Sequence, residues 1–268
     1  MGPKSRGTLV IIGGAEDKEG DCEILKKVVS LVEDRTLVIL TTATARPQEV
    51  GGEYREIFGR LGVEGIRLLH VNSRPQAQRK EAAEALIDAG GIFFTGGDQL
   101  RITSLLGGTA LAGSLHHAYR EGSVVIGTSA GAAAMSDIML VEGDSEEPPK
   151  KCTQKLAPGL GLLEEVVIDQ HFAQRGRLGR LLGAIAQNPY ILGIGIDEDT
   201  AVVVDNRAVL KVIGSQTVTI VDGRSMIYTN VSEQAPQKPL ALFQVQLHIL
   251  PRGFSYDLQQ KEASPYQP

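Results

Sequence analysis

A chain of 268 residues with 42% hydrophobic content is long enough for one large domain or two small ones and can bury a substantial core. Its 27 basic residues against 32 acidic ones leave a formal charge of −5, which excludes a general electrostatic pull toward nucleic acid, so any anion recognition has to be local. The two cysteines, Cys22 and Cys152, and the five scattered histidines form no C-x-x-C or Cys/His ligand spacing, which argues against a disulfide framework or a zinc knuckle.

The chain starts with a basic stretch and a five-residue apolar run, too short for the core of a signal peptide. No stretch approaches the roughly 20 apolar residues of a membrane span. The expectation is a soluble cytoplasmic protein.

Short β-branched runs then recur, each ending in small or turn-forming residues: "TLVII", "TLVIL", "IRLLHV", "IFFT" and "SVVIG". They read as strands buried on both faces. Between the first two, Leu25, Val28, Val29 and Val32 form an i, i+3, i+4, i+7 stripe, with Lys26, Lys27 and Glu33 at other positions. Alternation of this kind predicts a mostly parallel sheet with helices on both faces, whose ligands gather at the carboxyl ends of the strands. Residues 143–159, "GDSEEPPKKCTQKLAPG", read as an exposed connection, with a flap near a site as the alternative. After residue 200, "AVVVD", "VLKVI", "VTIVD" and "LALFQVQLHIL" predict antiparallel strands that finish the same domain, so that residues 1–268 form one α/β unit. The polar residues 259–268 read as a flexible tail.

The stretch "GTSAG", residues 127–131, follows "SVVI" and precedes "AAAM", a strand and a helix. That context suits a nucleophile elbow, in which Ser129 stands on a strained strand-to-helix turn; a glycine turn that merely starts a helix is the plain alternative. A serine needs a base and usually a group to orient that base. His171 alone among the histidines follows an apolar run, "VVID", and precedes a helix. The run "ILGIGIDEDT" ends in Asp197, Glu198 and Asp199, an acidic turn that can supply the orienting acid. The backbone N–H groups of Ala130 and of Gly97, in the turn "TGGDQ", are candidate oxyanion donors. Neither "GGAED" nor "GGDQL" has the glycine spacing of a phosphate cradle.

The segment "IDQHFAQRGRLGR" sets three arginines beside His171. Leu178, Leu181, Leu182 and Ile185 form an apolar helical stripe, and Arg177 and Arg180 fall off it, where solvated charges also belong. Gly176 and Gly179 weaken the first turn, so Arg175 stands in the preceding loop.

The ordered set "IIGGAED", "FFTGGDQ", "GTSAGAAAMS", "GLGLL", "IDQHFAQRGRLGR" and "GIGIDEDTA", spread over most of the chain, resembles the cyanophycinases. These are serine peptidases related to aspartyl dipeptidase (peptidase E), with a flavodoxin-like fold similar to class I glutamine amidotransferases. By that resemblance Ser129 is the nucleophile, His171 the base and Glu198 the orienting acid. Gln99, Asp169, Gln170, Arg175, Arg177 and Arg180 match substrate-contacting positions, with Asp169 able to accept from a substrate guanidinium and the arginines able to hold carboxylates. The implied substrate is cyanophycin, a polyaspartate carrying arginine on each β-carboxyl, cleaved to β-aspartyl-arginine dipeptides. A homodimer and no metal or organic cofactor are also implied. The alternatives are a dipeptidase for short Asp-X peptides and a catalytically silent arginine-peptide binding protein.

Overall fold

Each of the five apolar runs of the first half forms a strand: β1 (Leu9–Ile12), β2 (Thr36–Leu40), β3 (Ile66–Leu69), β4 (Ala89–Phe94) and β5 (Val124–Thr128). In the computed structural model, which describes residues 7–143, 147–151 and 154–266, these strands pair in parallel in the order β1-β5-β4-β2-β3. The crossovers carry helices α1 (Glu23–Val32), α2 (Pro47–Arg60), α3 (Arg74–Ala77), α4 (Lys80–Glu84), α5 (Gln99–Leu106) and α6 (Ala110–Arg120). Because successive strand side chains point to opposite faces, Val10 and Ile12 pack with Leu25, Val28 and Phe58 of α1 and α2. Leu9 and Ile11 share the opposite core with Leu106, Leu111 and Leu115 of α5 and α6.

A short helix, α7 (Ala130–Ala133), follows β5, and then β6 (Ile138–Glu142) pairs antiparallel with β7 (Lys155–Pro158). The 143–159 segment is therefore only partly a connection, since its end returns as a strand. Its proline and lysine content hid the pairing, which uses an exposed ribbon and needs no apolar alternation. Residues 144–146 and 152–153, Cys152 among them, lie outside the described residues.

The second half builds two things. Strands β8 (Val166–Gln170) and β9 (Leu192–Ile196) run parallel around α8 (Leu178–Gln187). Meanwhile β10 (Thr200–Val204) pairs antiparallel with β1, and β11 (Val209–Gly214) with β10, extending the main sheet. Next, β12 (Thr217–Asp222) returns to β9 and, past a two-stranded ribbon of β13 (Tyr228–Thr229) and β14 (Leu242–Phe243), takes β15 (Gln246–Pro251) on its other side. Finally β16 (Phe254–Asp257) and β17 (Glu262–Pro265) close the edge of the nine-stranded sheet. The segment read as a tail thus contributes an edge strand, anchored where the Tyr266 hydroxyl donates to the Val212 carbonyl at 2.7 Å. Only residues 267 and 268 of that segment lie outside the described part. Among the described residues no helix is long and apolar enough to cross a membrane.

Candidate active site

Ser129 stands between β5 and α7 with φ 53° and ψ −109°, a conformation that side chains other than glycine rarely adopt. Its N–H donates to Ile12 O at 3.0 Å, which ties the turn to the end of β1. Gly127 allows the tight turn, because a Cβ there would sit 2.5 Å from the backbone of Gly131.

Two residues distant in sequence complete a chain of hydrogen bonds. His171 follows β8 at φ 48°, held by its own N–H donating to Gly13 O at 2.9 Å. Its Nε2 lies 2.9 Å from Ser129 Oγ, and its Nδ1 lies 2.6 Å from Glu198 Oε1. A proton on Nδ1 donates to the Glu198 carboxylate, and that tautomer leaves Nε2 free to accept from the serine hydroxyl. The ring is 12% exposed and the Glu198 side chain 36%, so the imidazole is shielded while the carboxylate borders solvent.

The other two acids of that turn face elsewhere. Asp197 accepts from Ala173 N–H at 2.9 Å and from the Thr217 hydroxyl at 2.7 Å, and Asp199 accepts from Asp17 N–H at 2.9 Å. Burial holds the His171 pKa below the ordinary imidazole value; the Glu198 bond opposes this, and Arg175 and Arg177 lower it further.

Room for the imidazole comes from the β1–α1 turn. Gly14 has φ +98°, and a Cβ on it would lie 2.4 Å from His171 Cε1. Facing Ser129, Gly96 comes so close that a Cβ on it would be 3.5 Å from the serine Cβ, and next to it Gly97 takes φ +143°. Among the described residues neither the Gly97 nor the Ala130 N–H donates to a backbone carbonyl.

Two of the three arginines, Arg177 and Arg180, are buried, so the plain alternative of solvated charges does not describe them. Arg180 is 5% exposed and Asp169 1%, and the Arg180 fork grips both oxygens of Asp169, Nε at 2.6 Å and Nη2 closer still. Arg177, equally enclosed, donates through Nη1 to Asp169 Oδ1 at 3.3 Å, to Gln170 Oε1 at 3.0 Å and to the Gln170 carbonyl. Its Nε is buried with no hydrogen-bond partner among the described residues. Burial lowers the Arg177 pKa to about 10, with Arg180 and Arg175 adding to the effect against Asp169, and the group remains cationic at neutral pH.

Asp169, expected to receive a substrate guanidinium, is occupied instead by two guanidinium groups of its own chain, because a fully buried carboxylate requires paired cations. The apolar stripe of α8 is rotated accordingly: Leu178 is 41% exposed, while Arg180, Leu181, Ala184 and Ile185 face inward. Arg175 is exposed, and Gln99 donates its amide N–H to Leu140 O at 2.9 Å and Val141 O at 3.2 Å. Two guanidinium groups therefore share the Asp169 carboxylate, and a third, Arg175, lies close enough to His171 and Arg177 to lower the pKa of each, so the three cations outnumber the Asp169 and Glu198 carboxylates here.

Sequence reasoning missed Glu16, in "GGAED", which is 4% exposed and accepts from the Thr128 and Tyr54 hydroxyls. Its place at a strand's carboxyl end was the available signal. Among the described residues no group of three His, Cys, Asp or Glu side chains is placed to hold a metal ion.

A profile of Peptidase family S51 matches residues 9–213. The cyanophycinase of Geminocystis herdmanii (strain PCC 6308) is 42% identical over 255 residues, covering 94% of either chain. Those of Thermosynechococcus vestitus and Trichormus variabilis are 40% and 38% identical, over 94% and 97% of this chain and 80% and 89% of theirs. Among solved structures, a peptidase from an acI-B1 Actinobacterium superposes with TM-score 0.68 at 22% identity over 98% of both chains. A putative peptidase E protein from Listeria monocytogenes gives 0.52 at 16% identity, over 79% of this chain and 98% of its own. At these identities the two structures bear on the fold alone.

Proposed function

The chain belongs to Peptidase family S51, and from that premise we propose that it hydrolyses cyanophycin to β-aspartyl-arginine dipeptides through an acyl-enzyme on Ser129. The observation that carries the mechanism is the continuous path from Ser129 Oγ through the His171 ring to Glu198, 2.9 Å and 2.6 Å long. Ser129, on a nucleophile elbow, attacks the carbonyl carbon of the bond between two aspartyl units while His171 Nε2 takes its proton. The carbonyl π pair moves to oxygen, and the N–H groups of Gly97 and Ala130 receive that oxyanion. Collapse breaks the C–N bond, and the leaving amine takes the proton from His171. Water then repeats the sequence on the ester: His171 accepts its proton, hydroxide adds to the carbonyl, and Ser129 departs with that proton.

The excess of guanidinium charge at Arg175, Arg177 and Arg180 suits a substrate with a carboxylate on every unit. With Arg177 and Arg180 already pinned to Asp169, Arg175 is the group free to contact it directly. Purified protein given cyanophycin should release β-Asp-Arg, seen by mass spectrometry, and Ser129→Ala should abolish release. Undiminished release by that variant refutes the serine mechanism, and faster turnover of short Asp-X peptides than of polymer refutes the substrate. Family resemblance further supports a cytoplasmic homodimer; a light-scattering mass equal to one 28.7 kDa chain, or recovery of the native protein outside cells, would contradict it.

A further inference from the structure

The three proposed reacting groups arrive on β5, β8 and the β9–β10 turn, and one short segment touches all of these elements. In the β1–α1 turn, Ile12 O accepts from Ser129 N–H at 3.0 Å, Gly13 O from His171 N–H at 2.9 Å, and Gly14 O from Asp199 N–H, next to Glu198, at 2.9 Å. Asp17 N–H returns a bond to the Asp199 carboxylate at 2.9 Å. Within this turn Glu16 sends its side chain to Thr128, the residue before the serine. Its Oε2 accepts from Thr128 Oγ1 at 2.6 Å and its Oε1 from the Tyr54 hydroxyl at 2.5 Å, lengths typical of a hydroxyl donating to a carboxylate.

Tyr54 is itself fixed. Its ring lies 4.7 Å from that of Phe93 and 6.3 Å from that of Phe58, and Lys18 Nζ stands 4.4 Å above it. Burial, reinforced by the Glu16 charge, pushes its hydroxyl well above the usual phenol range, so it persists as a donor.

A buried carboxylate is an expensive way to fill space where apolar side chains surround the strand, so its presence needs a role that packing does not supply. Ser129 provides one. Its backbone is held in a sparsely populated conformation, which survives only where the neighbours over-determine it. Thr128 is the residue before it, and donation to Glu16 fixes the Thr128 side-chain rotamer and with it the peptide that leads into the serine.

We propose that Glu16, anchored by Tyr54 and acting through the Thr128 hydroxyl, is a positioning residue that aims Ser129 at His171. This inference rests on the serine-peptidase reading above. It predicts an effect on the chemical step and not on substrate affinity, because none of the three side chains is among the substrate-contacting positions.

The decisive variants are Thr128→Val, which keeps shape and loses the hydroxyl, and Thr128→Ser, which restores it. Thr128→Val should lower kcat on cyanophycin by about 10- to 100-fold, with KM within about twofold, as expected for a nucleophile held slightly out of line. Thr128→Ser should recover most of the loss. Glu16→Gln should lower kcat in the same direction, and adding Thr128→Val to it should cost little more, because both cut one link. Labelling of Ser129 by a fluorophosphonate should slow in parallel with kcat.

Wild-type kcat in Thr128→Val, a loss that Thr128→Ser leaves unrepaired, or fully additive losses in the double variant would each overturn the inference. Ser129→Ala, assayed alongside, keeps the two ideas apart. Activity in that variant defeats the underlying reading, whereas an inactive Ser129→Ala beside a fully active Thr128→Val defeats only the role given to Glu16.

Discussion

Substituting Asp169 by asparagine is the severest probe of the arginine cluster that touches none of the reacting groups. The carboxylate accepts four bonds at once: two from the Arg180 fork, one from Arg177 Nη1 at 3.3 Å and one from Gln170 N–H at 2.9 Å. Asparagine offers one oxygen, so its amide N–H groups must point at a guanidinium N–H, donor against donor. It also removes the one negative charge between two cations that are each less than a tenth exposed.

Breaking a buried pair by deleting one partner costs about 3–5 kcal/mol. Spread over the unfolding entropy of a chain of this length, 268 residues, that is a fall in Tm of about 5–9 °C. Because the pair is buried, raising salt should not erase the difference. Thermal unfolding followed by circular dichroism measures the first effect. Steady-state kinetics on cyanophycin should add a raised KM, since the loosened Arg177 and Arg180 no longer hold in place the positive charge proposed to attract the substrate. A Tm within about 2 °C of the parent, together with an unchanged KM, would mean that Asp169 does not organise these arginines, and the account given above would be wrong.

Two further outcomes follow from the geometry around the imidazole. His171 must be neutral to accept the serine proton, and burial with Arg175 and Arg177 lowers its pKa, so the acid limb of kcat/KM should lie below pH 6.5. Arg175→Gln removes a nearby cation, which raises that pKa and should move the acid limb to higher pH; a pH–rate profile that moves down or stays fixed contradicts the assigned cause. In Gly14→Ala the new Cβ falls 2.4 Å from His171 Cε1 at a backbone φ of +98°, so the ring has to swing from Ser129. The kcat should drop by about 100-fold or more while the variant stays folded, and wild-type turnover would show that the ring can be accommodated otherwise.

What could be read in the sequence divides along burial. Strands β1, β2, β4 and β5 were legible because they are covered on both faces and so become apolar runs between turn signals, whereas β3, read as buried on both faces too, lies at the sheet edge with no fully buried residue. Strand β17 was not, since all four of its residues are exposed at a sheet edge and nothing selects apolar side chains there. In the site, the G-x-S-x-G context pointed to Ser129, but the choice among Asp197, Glu198 and Asp199 depends on how the turn after β9 closes. Asp199 takes φ 46° and bonds back to the first loop, while Asp197 is used up by Ala173 and Thr217; only Glu198 is left to meet His171.

The arginines were the least legible part, because a charge off an apolar stripe reads as solvated whenever its counter-ion is out of view. For Arg177 and Arg180 that counter-ion is Asp169, 8 and 11 residues upstream across the His171 turn, in β8 rather than in α8, so no single helical or strand period spans the pairs. Once Asp169 is seen to be spent on those two, the electrostatics of the site change their meaning. Two guanidinium groups are held by Asp169, and the third, Arg175, is exposed beside His171. On the proposed reading the same side chain both attracts a substrate carboxylate and adds to burial in keeping the imidazole unprotonated. These two roles are linked, because an anionic substrate that neutralises Arg175 on binding also removes one of the charges that, after burial, lower the His171 pKa. The base becomes a better proton acceptor only once substrate is in place, and the acid limb of kcat should accordingly lie at higher pH than that of kcat/KM.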